Sequence, residues 1–277
     1  MSDTAGYAAY FASEQTSTGE LLHPLELARS GWNPKHLRGP AVTGILARAT
    51  ELGTRDDMSG LRPARLSIDL FRPARMAPSY TRVEVVQRGR RLGLVDAQLR
   101  QGDEVVARAH TLFLAPGADA TGQVWHPDRR PPELPPADLL PDDGGRYYRS
   151  GDAPWSSEAL DHLNGDRKRV WQLPVPLVEG EAPTSFQQLG IAADMTNLVV
   201  HWGTHGVEHI NADASVTFAR LPVGGGIGLV AEDRIAHDGI SIGTAAYYDR
   251  EGVFGHAALS TLANGGLSVR PGESPRA

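Results

Sequence analysis

Residues 66–115 read "LSIDLFRPARMAPSYTRVEVVQRGRRLGLVDAQLRQGDEVVARAHTLFLA", and a related stretch follows 148 residues later. This shift aligns them without a gap to residues 214–263, "ASVTFARLPVGGGIGLVAEDRIAHDGISIGTAAYYDREGVFGHAALSTLA". Eight of the fifty aligned positions are identical, among them Ser67 with Ser215. An internal repeat of this kind indicates that one structural unit occurs twice.

Both stretches share a series of strand-like runs. Each starts with a run that ends near Arg and Pro, and three runs of alternating apolar and polar residues follow. Such alternation predicts strands with one buried face, and short connections such as "QGDE" and "DREG" predict hairpins. Each half of the chain is therefore predicted to form an antiparallel meander.

One apolar segment with helical spacing precedes each meander, "GPAVTGILARATEL" at 39–52 and "SFQQLGIAADMTNLV" at 185–199. Apolar residues spaced three and four apart predict a buried helix face. In the first segment these residues are Val42, Ile45, Leu46, Ala49 and Leu52. The predicted fold class is α+β, with one helix packed on one curved antiparallel sheet, twice.

The stretch between the two repeats, residues 116–145, is crowded with Pro, Gly and Asp. Proline fixes φ and removes a backbone donor, so this composition predicts an extended linker. We therefore predict an N-terminal unit at 1–115, a Pro-rich linker at 116–145 and a C-terminal unit at 146–277.

Composition excludes several classes of protein. No window of the 277 residues approaches the roughly 20 consecutive apolar residues of a membrane-spanning helix. A net charge of −6 argues against a nucleic-acid partner, and the lack of cysteine excludes disulfides and thiolate chemistry. The first residues, "MSDTAGYAAYFASEQ", have neither a basic start nor a continuous apolar stretch. They predict no signal peptide and a cytoplasmic location.

Asp194 lies in the middle of "QLGIAADMTN", a run of small and apolar residues that reads as buried helix. An unpaired buried carboxylate is costly, so this residue should be paired, exposed or used in chemistry. The structural alternative is exposure at a helix end or capping of a local turn, which suits an Asp followed by Thr and Asn.

Several motifs, in this order and spacing, make the chain similar to a known family. They are "HLRGPAVTGILARA", "LSIDLFRPARM", "VEVVQRGRRLGLVDAQLRQGDEVVARAH", "GIAADMTN" followed by "INADASVTFARLP", and "YYDREGVFGHAALS". Over most of its length outside the linker and termini, the chain resembles the TesB-like double-hotdog acyl-CoA thioesterases. The resemblance implies that two hotdogs join into one continuous curved antiparallel sheet with both helices on its concave face. It also implies hydrolysis of acyl-CoA to free acid and CoA in the second hotdog, no cofactor, and association into homo-oligomers.

The resemblance also implies the residues that hold the attacking water. Asp194 matches the helix aspartate of the family and Asn211 matches the polar residue on the following strand. Ser260 falls at the position where the family has Gln, a departure that shortens the reach of this side chain. Each residue has a structural alternative, since Asn211 also suits a turn before a strand and Ser260 suits a bond to backbone.

Thioester hydrolysis also needs hydrogen-bond donors for the developing oxyanion, and a helix N-terminus offers free N–H groups. Gly39 and Gly190 precede or lie in the two helices and are candidates for a close approach to the substrate carbonyl. Tight contact between helix and sheet explains these glycines equally well. His201 and Trp202 are candidates for the rim of the acyl or pantetheine entrance.

His201, His205 and His209 recur every four residues, which invites a metal interpretation. Glycines interrupt any helix there, and the family resemblance implies no metal, so no metal site is predicted. Separately, the arginines of "RGRRLG", Arg88, Arg90 and Arg91, are candidates to meet CoA phosphates or to lie in a solvated hairpin turn.

Three functions remain open from the sequence. Thioester hydrolysis is favoured by the resemblance. A hydratase-like or dehydratase-like lyase would need Asp and His in one site, and the three histidines keep it open. A non-catalytic protein that binds acyl-CoA or an acyl carrier is suggested by Ser260 in the place of Gln.

Overall fold

The computed structural model describes residues 9–125, 127, 132–139 and 145–272. The elements of the N-terminal half are β1 (Phe11–Thr16), β2 (Gly19–Pro24), α1 (Gly39–Gly53), β3 (Arg62–Leu70), β4 (Tyr80–Arg88), β5 (Leu92–Gln101) and β6 (Glu104–Leu114). Those of the C-terminal half are β7 (Arg146–Ser150), β8 (Lys168–Gln172), α2 (Ser185–His201), β9 (Trp202–Gly203), β10 (Gly206–Val207), β11 (His209–Asn211), β12 (Asp213–Phe218), β13 (Ile227–His237), β14 (Ile240–Asp249) and β15 (Gly252–Ala263).

Eleven strands form one antiparallel sheet, in the order β4-β5-β6-β3-β12-β15-β14-β13-β8-β7, with β11 also paired to β15. The repeat predicts its layout closely. Adding 148 to the bounds of β5 (Leu92–Gln101) gives those of β14 (Ile240–Asp249). The register shift between Leu99 and Arg100 recurs, under the same addition, between Tyr247 and Tyr248. The two meanders are thus copies of one unit, and the predicted double hotdog is confirmed.

The two halves join through the pairing of β3 with β12 at the centre of the sheet. Ser67 lies opposite Ser215 in this pair, and their hydroxyl groups are 2.7 Å apart. These serines are also equivalent under the 148-residue repeat. Each therefore pairs with the residue at the same position of the other unit. A pseudo-two-fold axis therefore passes between them, as in an isologous dimer contact.

Both helices begin where the sequence predicts, at Gly39 and Ser185. The hydroxyl oxygen of Thr184 caps the second by accepting a bond from the Gln187 N–H at 3.2 Å. The predicted buried face of α1 is correct except at Leu52, which is 40% exposed in the last turn. The pattern thus predicts the helix interior better than its end.

The helices pack against each other in antiparallel fashion on one face of the sheet, because Glu51 in the last turn of α1 accepts a bond from Thr184 at the start of α2. Close packing at their crossing depends on two glycines: a Cβ on Gly44 would meet Leu177 and Ile191, and one on Gly190 would meet Ala47. This packing brings the N-terminus of α1 beside the middle of α2, and it thereby creates the candidate site.

Four of the strands that the pattern does not predict complete the two units. They are β1 and β2 at the N-terminus and β7 and β8 at the start of the C-terminal half. Within the described part of the predicted linker 116–145 there is no strand, and one short 3-10 helix spans Ala137–Leu139. The rest of that linker lies outside the described residues. Across the described chain, no helix is long and apolar enough to cross a membrane.

Candidate active site

A cavity of about 540 Å³ opens where the N-terminus of α1 meets the middle of α2. Asp194 lies in its wall. The other polar parts of the wall are Gly39 at the start of α1, Arg38 just before it, and Arg146 and Tyr148 from β7. Apolar side chains on other parts of the wall include Leu27, Trp32, Met195, Leu198 and Val207. Both hotdogs thus contribute to one polar centre with an apolar surround, as expected of a small-molecule site.

Asp194 is partly buried on α2, and Asn211 at the end of β11 donates a hydrogen bond from Nδ2 to its Oδ1 at 2.9 Å. The residues are brought together because β11 follows α2 after a short hairpin and returns along the helix. One carboxylate oxygen, Oδ2, has no hydrogen bond to any described residue. It is therefore available to a ligand or to water.

Gly39 approaches this carboxylate so closely that an added Cβ would overlap Oδ1, Cγ and Oδ2 of Asp194. The next residue, Pro40, has no N–H, and no hydrogen bond among the described residues uses the N–H of Gly39. The start of α1 therefore offers one free donor beside the carboxylate, at the positive end of the helix dipole.

Electrostatics at Asp194 result from opposing influences. Burial raises the pKa of its carboxyl group, whereas the hydrogen bond from Asn211 and the positive charges of Arg146 and Arg38 lower it, with a net rise. A carboxylate with a raised pKa is a stronger base than an exposed one, while the arginines keep its ionised form accessible.

Comparison with known families decides the class. Residues 28–114 match the profile of the acyl-CoA thioesterase N-terminal domain, and residues 120–258 match that of the C-terminal domain. The chain belongs to the acyl-CoA thioesterase family. This acyl-CoA thioesterase is accordingly an enzyme of thioester hydrolysis, as the sequence resemblance predicts.

Solved structures agree on the fold of this thioesterase. The tesB protein of Mycobacterium avium subspecies paratuberculosis superposes with a TM-score of 0.61 at 17% identity, over 88% of this chain and 92% of its own. Acyl-CoA thioesterase II TesB2 of Mycobacterium marinum gives 0.58 at 16% identity, over 81% and 90%. A hot dog fold protein of Alicyclobacillus acidocaldarius gives 0.65 at 14% identity, over 90% and 94%. No curated protein matches the chain.

Ser260, the third predicted water ligand, lies on the outer face of the sheet. It is opposite the exposed Ile242, whereas its neighbours Leu259 and Thr261 are buried on the helix side. Cross-strand pairing places Thr261 directly opposite Asn211. The alternation of Leu259 and Thr261 already indicates this orientation, because a shift of one residue moves a side chain to the other face. Ser260 takes no part in the mechanism proposed for this enzyme.

The other predicted binding residues lie away from Asp194. Gly190 is at the helix crossing, where Ala47 and the Thr43 carbonyl leave no room for a side chain. His201 and Trp202 line a separate cavity of about 490 Å³ at the C-terminal end of α2. Of the three candidate phosphate-binding arginines, Arg88 bonds backbone carbonyls of Asp57 and Ser59.

His201 is tied into a structural network. Asn197 donates to the His209 carbonyl through Nδ2, so its Oδ1 accepts from His201 Nδ1–H at 2.9 Å. The other ring nitrogen of His201, Nε2, lies 2.9 Å from the hydroxyl oxygen of Ser241, and this hydroxyl also donates to the Ile235 carbonyl at 3.1 Å. Burial, with the charges of His209 and Arg234, lowers the pKa of His201 to about 3. This histidine is therefore neutral at physiological pH.

Two alternative interpretations of the sequence involve histidine, a lyase with Asp and His in one site and a metal site. Asp194 and His201 line different cavities, so the acid and imidazole of a lyase are not brought into one site. Among the described residues, no group of three or more His, Cys, Asp or Glu is arranged to hold a metal ion.

Sequence reasoning missed Arg38, Arg146 and Tyr148. Arg38 directly precedes the predicted helix start at Gly39, and this position alone was a signal that its side chain lies at the helix N-terminus. Arg146 and Tyr148 carry no such signal, since β7 was not predicted as a strand. Their place in the site depends on the packing of β7 beside β8 at the sheet edge.

The raised pKa of Asp194 leads to a stability prediction. Because the folded pKa lies above the ordinary value of 3.8, ionised Asp194 destabilises the fold above the folded pKa, and this cost vanishes as pH falls below 3.8. Asp194→Asn is therefore expected to unfold at a higher temperature than wild type at pH 7, with the gain shrinking as the pH approaches 3.8. Calorimetry of both proteins across this pH range is the measurement. A difference that is independent of pH, or a variant less stable at pH 7, would contradict it.

Proposed function

We propose that Asp194 is the general base of acyl-CoA hydrolysis in this enzyme. Its free carboxylate oxygen accepts a proton from a water molecule as the water oxygen attacks the thioester carbonyl carbon. Asn211, through its bond to Oδ1, fixes the orientation of the carboxylate and leaves Oδ2 without a protein donor. The bond between carbonyl carbon and sulfur then breaks, and the proton on Asp194 passes to the departing CoA thiolate.

The N–H of Gly39 is the proposed donor to the oxyanion that forms on the carbonyl oxygen. A backbone donor at a helix N-terminus stabilises negative charge that develops in the transition state. Its position beside Asp194, fixed by the packing of α1 on α2, brings base and donor to the same part of the cavity wall. The proposal is supported above all by this convergence of a basic carboxylate and a free N–H in one cavity.

The test is a panel of short, medium, long and aromatic acyl-CoAs, with free thiol and free acid both measured. We expect thiol and acid to be released in equal amounts from at least one class. Addition of water to an enoyl-CoA with the thioester intact would favour a lyase. Binding of acyl-CoA with neither reaction, across the panel, would favour a binding protein.

Two further expectations concern the whole molecule and remain predictions. One is association into homo-oligomers, which analytical sedimentation tests directly. Apolar residues exposed on the outer face of the C-terminal sheet offer a surface for it, and they pair across strands: Ile210 with Leu262, Leu262 with Ile240, and Ile242 with Ile235. The other is a cytoplasmic location.

A further inference from the structure

The cavity that holds Asp194 has an excess of positive charge. Among the described residues of its wall are four arginines and two carboxylates: Arg29, Arg38, Arg146, Arg270, Glu26 and Asp194. The whole chain has a net charge of −6, so this local excess opposes the overall sign. A concave positive surface in an acidic protein concentrates anionic ligands.

Arg38 lacks a partner of its own in this wall. Its guanidinium makes no hydrogen bond or ion pair with any residue that the structure describes, although it is partly buried. By contrast, Arg29 is paired with Glu26 at 2.7 Å. An unpaired charge that is partly removed from water is costly, and this cost suggests that a ligand supplies the missing anion.

Arg146 lies close enough to Arg38 for their positive charges to repel, which adds to the effect of burial in lowering the pKa of Arg38. Its Nε donates to Gln172 Oε1 at 2.5 Å, so the head group is held by β8. Asp194 is near both arginines and provides one negative charge for two positive ones. One positive charge of the pair is therefore left to be balanced by a further anion.

The identity of that anion follows from where the pair lies. Both arginines are near the carboxylate proposed to activate water, which must be next to the thioester. The phosphates of CoA are separated from the thioester by the pantetheine arm, roughly 13 Å or the length of about four extended residues. The acyl side of the thioester has no such separation. A negative group at the arginines is thus better supplied by the acyl moiety.

We propose that Arg38 and Arg146 bind a carboxylate on the acyl group, so that the preferred substrates are CoA thioesters of dicarboxylic acids. The geometry suits this role, because two guanidinium groups on one wall present several N–H donors to a planar carboxylate. This inference rests on the proposed hydrolysis at Asp194 and defines the substrate class of the same site.

The experiment compares pairs of substrates that differ only in a terminal carboxylate in place of methyl, adipoyl-CoA with hexanoyl-CoA and glutaryl-CoA with valeryl-CoA. For wild type, kcat/KM is expected to be higher for at least one carboxylated member by about tenfold or more. Arg38→Gln and Arg146→Gln should each remove this preference by raising KM for the carboxylated substrate. Because both arginines also lower the pKa of Asp194, any accompanying change in kcat should be the same for both members of a pair. Arg72→Gln is the control, since Arg72 is exposed and pairs with Glu104 away from the cavity.

Three results would overturn the inference. One is a wild-type enzyme that prefers the neutral member of both pairs or shows no preference. This result does not depend on whether any variant folds. Another is a preference for the carboxylated substrate that persists in both variants, which would mean that the arginines act only on the oxyanion or on Asp194. A third is an increase in KM of the arginine variants that is seen with acyl-CoA but not with acyl-pantetheine substrates, which lack the phosphates. This result would mean that the arginines bind the phosphates of CoA. Hydrolysis of hexanoyl-CoA by wild type and by Asp194→Asn reports on the proposed function separately.

Discussion

Asp194→Asn is expected to lower kcat on a readily hydrolysed acyl-CoA by about 10²–10⁴-fold, the usual range for loss of general acid–base assistance. Asparagine has nearly the same size, and its Oδ1 can still accept the bond from Asn211 that Asp194 accepts at 2.9 Å. The fold and the binding of acyl-CoA should therefore persist, while the group that takes the proton from water is lost. Thiol release under saturating substrate measures the effect.

The matched control for this change is Asp103→Asn, the same chemical substitution in the exposed turn between β5 and β6. It should retain wild-type turnover. A rate for Asp194→Asn within a few-fold of wild type would remove Asp194 from the mechanism. In that case its carboxylate would be a structural partner of Asn211.

Gly39→Ala is expected to lower turnover by about 10²-fold, because displacement of a catalytic group by about 1 Å can cost that much. The new methyl group would overlap the carboxylate of Asp194, which must then move or rotate. Alanine keeps the N–H and is a better helix former than glycine, so the helix itself should not be weakened. The expected signature is a large fall in kcat with secondary structure preserved in circular dichroism.

Gly145→Ala provides the comparison, since a Cβ at this position has no described atom within 4 Å although the residue adjoins Arg146. Its turnover should be that of wild type. If Gly39→Ala were as active as Gly145→Ala, the close approach of α1 to Asp194 would have no catalytic role. The oxyanion donor would then have to be sought elsewhere in the cavity.

Periodic patterns predicted the parts of the fold in which each element has one buried face. The bounds of β14, Ile240–Asp249, follow from those of β5 by the 148-residue repeat, and both helices begin at predicted residues. Alternation and helical spacing are local properties, because they depend only on which side of a strand or helix meets the core. They are therefore readable without the partner element.

Elements without such a face were missed for the same reason. In β1, Phe11–Thr16, only the first residue is buried and the last four are exposed. The short β7, Arg146–Ser150, has two adjacent buried tyrosines instead of alternation. These strands exist because a neighbouring strand offers backbone hydrogen bonds, and a pattern of side chains does not record that.

The residues of the candidate site likewise fall into those that the sequence predicted and those that only the tertiary structure brought together. The sequence by itself marked Asp194 as an anomalous carboxylate in a buried helix, and the family resemblance paired it with Asn211 on the following strand. Only the tertiary structure decided that Gly39 touches Asp194, that Arg38 and Arg146 converge there, and on which side of the last strand Ser260 lies. Gly39 and Asp194 are far apart in the chain and meet through the packing of two helices. Such contacts depend on the crossing of whole elements, which no local spacing of residues encodes.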